Sequence, residues 1–162
     1  MEWIDGGVTS PKGFRASAVR AGLKKEGLDL VVLECPGGAA CAGLFTSNAV
    51  KAAPVLVSIR HLKRSRGRTR AVVVNSGNAN ACNGSRGVED AYKVARKCAQ
   101  SVGTPVWKVL LASTGVIGRP LPLAKVLAGL ELAVPNLDSS RAASKGAAQA
   151  IMTTDRVPKE AA

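Results

Sequence analysis

The sequence predicts a layered α/β domain. Short apolar runs typical of buried strands alternate with segments whose apolar residues recur at helical spacing, and neither an internal repeat nor a low-complexity linker interrupts them. Of the 162 residues, 46% are hydrophobic but only 3% are aromatic, so the core must consist of Val, Leu, Ile and Ala. A chain of this length is sufficient for one domain with a substantial core.

Five stretches of the chain have the composition of strands. They follow residues 6–15, whose Gly and Pro predict a turn-rich opening segment. The first strand is expected at 28–34, and a turn around Pro36-Gly37-Gly38 is expected at 35–42. The other strand-like runs are 42–46, 54–59, 71–75 and 107–112, of which 71–75 (Ala-Val-Val-Val-Asn) is the clearest.

Three segments have helical patterns, at 88–102, 123–132 and 141–152. In the first, apolar residues recur at spacings of three and four, with Glu89 and Asp90 near its start, as the helix dipole favours. Gly103 and Pro105 are expected to end it. Ser139 and Ser140 are candidate caps for the last helix.

The charge is strongly basic, at +12, and seven Lys and Arg but no acid lie between Lys51 and Arg70. One interpretation of the dense part, 63–70, is a patch that binds nucleic acid. The other is a solvated loop between two strands. The loop is favoured because no aromatic residues are interleaved for base stacking and no nucleic-acid-binding motif accompanies the run.

The four cysteines and the single histidine indicate neither a metal site nor a disulfide framework. The cysteines are irregularly spaced and form no C-x-x-C pair, so they are expected to be reduced and mostly buried. His61 lies in the basic stretch, which makes a Cys–His pair an unfavourable hypothesis. No apolar run is long enough to span a membrane, and residues 1–7 lack the features of a secretory signal, so a cytoplasmic location and no membrane partner are expected.

Three polar segments follow apolar elements and could carry chemistry: 75–84, 113–118 and 152–155. The first holds four Asn and could equally be a structural loop whose amides bond their own backbone. In the second, Thr114 and Gly115 could present a hydroxyl beside a backbone N–H, as an oxyanion hole requires, or form an ordinary turn. The third, Met152-Thr153-Thr154-Asp155, could bind an amino acid or simply end a helix.

Taken in order, six segments of this chain resemble the ornithine acetyltransferase family of arginine biosynthesis. The strings Asn-Ser-Gly-Asn-Ala-Asn-Ala-Cys (75–82) and Ser-Thr-Gly-Val-Ile-Gly (113–118) are the most distinctive. The six segments are 6–14, 45–48, 52–55, 75–84, 113–118 and 150–155, which together extend over nearly the whole chain.

The resemblance implies an α/β fold with a layered sandwich of mixed sheets and outer helices, of the self-processing N-terminal-nucleophile acyltransferase type. Family members transfer an acetyl group from N-acetylornithine to glutamate, and some also use acetyl-CoA as donor; no other cofactor is implied. The precursor cleaves itself before a Thr that becomes the nucleophile at the start of a β chain, and its own amine can activate it, so no His is needed. The α and β chains are expected to form an α2β2 heterotetramer.

By the same resemblance, Thr114 and Gly115 are expected to form the oxyanion hole, and Thr153 to contact the substrate. Residues 1–162 are then the N-terminal α-chain portion of one acetyltransferase unit, ending before the cleavage site, and are expected to be inactive alone. Two departures are Asn83, where Thr is usual, and Arg156, where a small residue is common. Neither affects the oxyanion pair.

Two other functions remain open at this point. One is a related self-processing aminopeptidase or hydrolase with an N-terminal nucleophile. The other is a nucleic-acid-binding module that uses the basic stretch, which the sequence does not favour.

Overall fold

A computed structural model describes residues 4–162; residues 1–3, part of the stretch on which the absence of a secretory signal was argued, lie outside the described part. Four strands and four α-helices form the fold. In chain order they are β1 (Arg15–Val19), β2 (Leu30–Ala40), α1 (Ala53–Arg64), β3 (Arg68–Asn78), α2 (Gly84–Ser101), β4 (Val109–Val116), α3 (Leu123–Ala133) and α4 (Arg141–Ala150).

The strands form one mixed sheet in the order β1-β2-β3-β4. The first three are antiparallel neighbours, and β3 and β4 are parallel and joined through α2. Helices α1, α2 and α3 cover one face of the sheet, where the main core of Val, Leu and Ala lies. Helix α4 packs on the other face, mainly against β1. The predicted layered α/β arrangement is therefore confirmed.

The strand predicted at 54–59 is wrong, because this stretch lies within α1. Its buried residues recur with helical spacing, including Val57, Ser58 and His61, and Pro54 occupies the first turn, where its missing N–H costs nothing. Of the β-branched residues that suggested a strand, Val57 packs on the buried face of this amphipathic helix, whereas Val55 and Ile59 are half-buried.

Helix α1 also changes the interpretation of the basic stretch. Residues 63–70 are not a loop between two strands but the last turn of α1, a short turn and the start of β3. Two of its arginines have partners within the fold: Arg64 lies 4.0 Å from the ring centre of Trp107, and Arg70 pairs with the buried Glu34. Basic residues in the last turn of a helix also complement its dipole.

The turn predicted at 35–42 is wrong in its first part. Strand β2 continues to Ala40, and the irregularity that Pro36 and two glycines suggested is a register shift between Glu34 and Ala39. The strand expected at 42–46 is also wrong: this segment has no regular structure and is exposed. Strand β1 was not predicted.

The other elements agree with the sequence. The predicted turn-rich segment at 6–15, the strands at 28–34, 71–75 and 107–112, and all three helices are confirmed, with bounds that shift by a few residues. The side chain of Ser140 caps α4 by accepting a hydrogen bond from the Ala143 N–H. Within residues 4–162, no helix is both long enough and apolar enough to cross a bilayer.

The thiols differ from their predicted burial, since only Cys98 is buried. Cys35 and Cys41 are half-buried and Cys82 is exposed, although all four are free as expected. Burial raises the pKa of the Cys98 thiol to about 12, and the nearby charge of Glu34 adds to the shift. This thiol is therefore an inert core group.

Candidate functional site

The first two polar segments of the sequence meet at the carboxyl ends of β3 and β4. These strands are parallel and in register, so that Ser76 pairs with Thr114 and Gly77 with Gly115. The chain reverses through α2 between them, which explains how residues almost forty positions apart become neighbours. In sheets of this kind, the carboxyl ends of parallel strands are the usual place for a site.

The asparagines of residues 75–84 mainly bond the protein itself. The Asn75 amide donates to the Asn78 carbonyl at 2.8 Å, and the Asn75 side-chain oxygen accepts from the Ser113 hydroxyl at 2.5 Å. Asn80 is fully buried and donates to the Gly87 carbonyl at 2.9 Å. The structural interpretation of these amides is therefore confirmed: they hold the end of β3 and the start of α2 in one conformation.

Gly77 and Gly115 are required because other backbone approaches each of them closely: residue 23 approaches Gly77, and the end of β3 approaches Gly115. Both have positive φ, at +97° and +133°. A Cβ at Gly115 would lie 2.4 Å from the Gly77 carbonyl carbon, and a Cβ at Gly77 would lie 2.9 Å from the Leu23 carbonyl oxygen. No larger residue fits at either position without moving backbone.

The direction of the backbone groups along β4 follows from its contacts with α1. The Val109 carbonyl bonds His61 Nδ1 at 2.7 Å, and the Leu111 N–H and carbonyl both bond the Ser58 hydroxyl at 2.8 Å, all on the edge of β4 away from β3. Backbone groups alternate between the two edges of a strand, so Gly115, in phase with Val109 and Leu111, directs its N–H to the same free edge.

Thr114 lies on the open face of the sheet. Val109 and Leu111 face the helix-covered core, so the alternating residues Leu110, Ala112 and Thr114 face the other side. Thr114 and Gly115 are both exposed. An exposed hydroxyl therefore stands beside a backbone N–H at the free edge, two donors of the kind that stabilise a developing oxyanion.

The end of α4 reaches this site through Ser76. The fully buried Ser76 hydroxyl donates to the Ala150 carbonyl at 2.6 Å, which fixes the last turn of α4 beside the pair Ser76 and Thr114. Thr153 follows three residues later and is exposed. Thr114 and Gly115 thus lie at the end of β4, and Thr153 lies three residues beyond the α4 carbonyl that Ser76 bonds.

The segment that carries Thr153 is held by two charged side chains. The Lys24 ammonium donates to the Met152 carbonyl at 3.0 Å, and the Thr153 N–H donates to the Asp155 carboxylate at 3.4 Å. Asp155 also accepts from Lys159, and this bond, followed by that of Thr153, holds the pKa of its carboxyl below the usual value. Lys24 is not among the candidate residues that the sequence pattern indicates.

A cleft of about 250 Å³ lies on the same open face of the sheet. Apolar side chains of β2, β3 and α4 line it, including Leu33, Val74 and Ile151. Glu160 closes one side, where it bonds Arg141 at 2.7 and 2.8 Å and accepts from the Ser144 hydroxyl. Among residues 4–162, no group of three or more His, Cys, Asp or Glu is placed to hold a metal ion.

The fold and the site define a mixed α/β protein whose polar site lies at the carboxyl ends of two parallel strands, with a hydroxyl and a backbone N–H side by side. The chain belongs to the ArgJ family, whose model matches residues 15–162. This confirms the family resemblance of the polar segments.

Curated relatives of this chain are ArgJ proteins. The arginine biosynthesis bifunctional protein ArgJ of Parasynechococcus marenigrum is 46% identical over 160 residues, covering 98% of this chain and 39% of the relative, and that of Geobacter sulfurreducens is 49% identical over 149 residues, covering 91% and 37%. This chain thus spans about two fifths of the length of the curated relatives it matches.

Two solved structures share the fold. The ornithine acetyltransferase of Mycobacterium tuberculosis, determined in complex with ornithine, superposes with a TM-score of 0.94 at 43% identity, covering 99% of this chain and 86% of that one. The ArgJ protein of Bacillus halodurans superposes with a TM-score of 0.92 at 36% identity, covering 96% and 81%.

Proposed function

We propose that this chain supplies the oxyanion hole and part of the substrate site of an enzyme that transfers an acetyl group from N-acetylornithine to glutamate. The observation that carries the proposal is the exposed Thr114 hydroxyl beside the Gly115 N–H at the free edge of β4. Membership of the ArgJ family and the fold shared with an ornithine acetyltransferase support it.

In the proposed reaction, the hydroxyl of an N-terminal Thr of a β chain attacks the acetyl carbonyl of N-acetylornithine. The carbonyl oxygen becomes negatively charged, and Thr114 and Gly115 donate hydrogen bonds to it. Loss of ornithine leaves an acetyl-enzyme, which glutamate then attacks at the same site. The α-amine of the nucleophile takes up the hydroxyl proton, so no histidine is needed.

The substrate contact is assigned to Thr153. Thr153 is exposed and lies three residues beyond the α4 carbonyl that Ser76 bonds, which supports this role, since an exposed hydroxyl can bond a polar group of an amino-acid substrate. The crystal structure of the Mycobacterium tuberculosis relative was determined with ornithine, which fits the same substrate class. Acetyl-CoA as a second acetyl donor, and an α2β2 assembly, are part of the same proposal.

The test is Thr114→Ala in a protein that carries this chain together with the β portion of the family. We expect the acetylation rate to fall by roughly a hundredfold or more, since loss of one oxyanion donor costs about 2.7–4 kcal/mol in the transition state. The unfolding midpoint should not change, because the side chain is exposed. Thr104→Ala is the matched control, in the turn after α2 and five residues before β4 begins, and should retain full turnover; unchanged turnover in Thr114→Ala overturns the assignment.

The choice of substrate separates acetyl transfer from hydrolysis. The same protein is offered N-acetylornithine with glutamate and, separately, an amino-acid amide. Acetylglutamate formation supports the transferase, whereas release of the amine from the amide, without transfer to glutamate, would identify a hydrolase.

A further inference from the structure

Asp29 is a fully buried carboxylate that bonds three backbone N–H groups of one loop. It accepts from Ala21 at 2.6 Å on one oxygen, and from Leu23 at 2.6 Å and Lys24 at 3.0 Å on the other. A buried charge is costly unless it is fully bonded, and charge-assisted bonds of this kind are strong. The carboxylate therefore fixes the path of residues 21–24.

The loop that Asp29 holds touches both sides of the candidate site. The Leu23 carbonyl packs against Gly77, leaving no space for a side chain there, and the Asp29 carbonyl itself accepts from the Ser76 N–H at 2.9 Å. On the other side, Lys24 Nζ donates to the Met152 carbonyl at 3.0 Å, one residue before Thr153. The loop thus connects the end of β3 with the segment that follows α4.

We propose that Asp29 is a positioning residue for this site: by holding residues 21–24 against Gly77, it places Lys24 to fix the Met152 carbonyl and so sets Thr153 relative to Thr114 and Gly115. Asp29 and Lys24 act through the backbone of other residues. The functional meaning of this arrangement rests on the proposed acetyl transfer, but the geometric coupling does not.

The coupling is tested by amide NMR spectra of the 162-residue chain. Asp29→Asn keeps the size of the side chain but replaces one accepting oxygen by an NH₂ donor, so at least one of the three bonds is lost. We expect the amide resonances of Leu23 and Lys24 to move and those of Gly115 and Thr153 to move with them. Changes confined to residues 20–29, with Gly115 and Thr153 unaltered, would overturn the proposal.

Lys24→Met is the second variant, which keeps the test decisive if Asp29→Asn does not fold. It retains the apolar stem and removes the ammonium, so the Thr153 resonance should move while that of Ala21 stays. Asp138→Asn is the matched control: its carboxylate also accepts a backbone N–H, that of Ser140 at 3.2 Å, but it is exposed and lies at the other end of α4. It should leave Thr153 and Gly115 unmoved. An unmoved Thr153 in Lys24→Met overturns the role of the lysine.

Turnover gives an independent measurement in the protein that also carries the β portion. A misplaced site can lose up to about a hundredfold in rate, and we expect Lys24→Met to lower kcat by roughly tenfold or more with the unfolding midpoint unchanged. A kcat equal to that of the parent overturns the positioning role. Failure of the proposed function is distinguishable, because it would appear as unchanged turnover in Thr114→Ala whatever the NMR spectra show.

Discussion

The two halves of the β3–β4 pair share one hydrogen-bonded ladder but differ in what they do. In the amino half, Val73, Val109 and Leu111 are buried under α1 and α2. In the carboxyl half, the β3 residues Asn75, Ser76 and Asn78 are also buried, whereas β4 is exposed from Thr114 to Val116. Strand β3 is thus packed within the fold in both halves. Strand β4 is part of the core before Ser113 and exposes its residues to solvent after it.

The largest expected effect comes from closing the space between the two strands at the polar end. Gly115→Ala places a Cβ 2.4 Å from the Gly77 backbone at a φ of +133°, and should lower the free energy of unfolding by about 4 kcal/mol. Urea unfolding measures it. Gly118→Ala is the control: it has positive φ but open space, and should cost about 1 kcal/mol. Equal losses of unfolding free energy in the two variants would show that the close approach of the Gly77 backbone is not what requires glycine at position 115.

In the amino half of the strand pair, a substitution should lower the stability of the fold without changing the geometry of the candidate site. Leu111→Ala removes a buried side chain of the amino half and should cost about 2–3 kcal/mol of unfolding free energy, since the side chain is 7% exposed and lies on an edge strand. The folded fraction should keep its Gly115 and Thr153 amide resonances. Leu110→Ala, on the open face and only half-buried, should cost clearly less; the reverse order would contradict the assignment of the two faces.

A smaller effect is expected where the polar end joins α4. Ser76→Ala removes the buried hydroxyl that bonds the Ala150 carbonyl and should cost about 1–2 kcal/mol, because that carbonyl loses its partner. The Thr153 resonance should also move. Ser101→Ala, whose hydroxyl makes an exposed bond to the Lys97 carbonyl, is the control and should change stability little. If Ser76→Ala left the Thr153 resonance unchanged, the bond between Ser76 and α4 would not determine the position of Thr153.

The smallest effect concerns pH and the amino end of β4. Burial lowers the pKa of His61, its bond to the Val109 carbonyl opposes the shift, and the charge of Arg64 adds to it. The unfolded chain therefore binds the proton more readily than the folded one, so stability is highest above the unfolded pKa of about 6.5 and falls as the pH drops below it. Urea unfolding between about pH 7.5 and 5.5 measures the slope. Since His61 is the only histidine, His61→Gln should flatten it, and an unchanged slope would contradict the prediction.

The sequence predicted the elements whose patterns are unambiguous. The Val run of β3 and the three-and-four spacing of α2 indicate their structures locally. Residues 54–59 have strand-like composition, but Pro54 lies in the first turn of α1, and Ser58 and His61 bond β4 from that helix. Which strand ends meet depends on the parallel register, a contact between distant parts of the chain.

Only part of the candidate site could be predicted from the sequence, because the rest depends on contacts between distant parts of the chain. Thr114, Gly115 and Thr153 were identified through the family resemblance, and their roles stay predictions. Lys24 and Asp29 could not be found from the sequence, because their importance arises from backbone groups that they bond across the fold. A single acid before a Val-rich strand does not reveal which loop it holds.

The bonds between α1 and β4 also affect how this protein behaves towards other chains. An edge strand offers unpaired backbone groups on which a foreign strand can add, which is a route to aggregation. Ser58 and His61 occupy that row at Val109 and Leu111 and leave it open only towards Gly115. The chain thereby restricts backbone exposure along this edge to the short stretch where chemistry is proposed to need it.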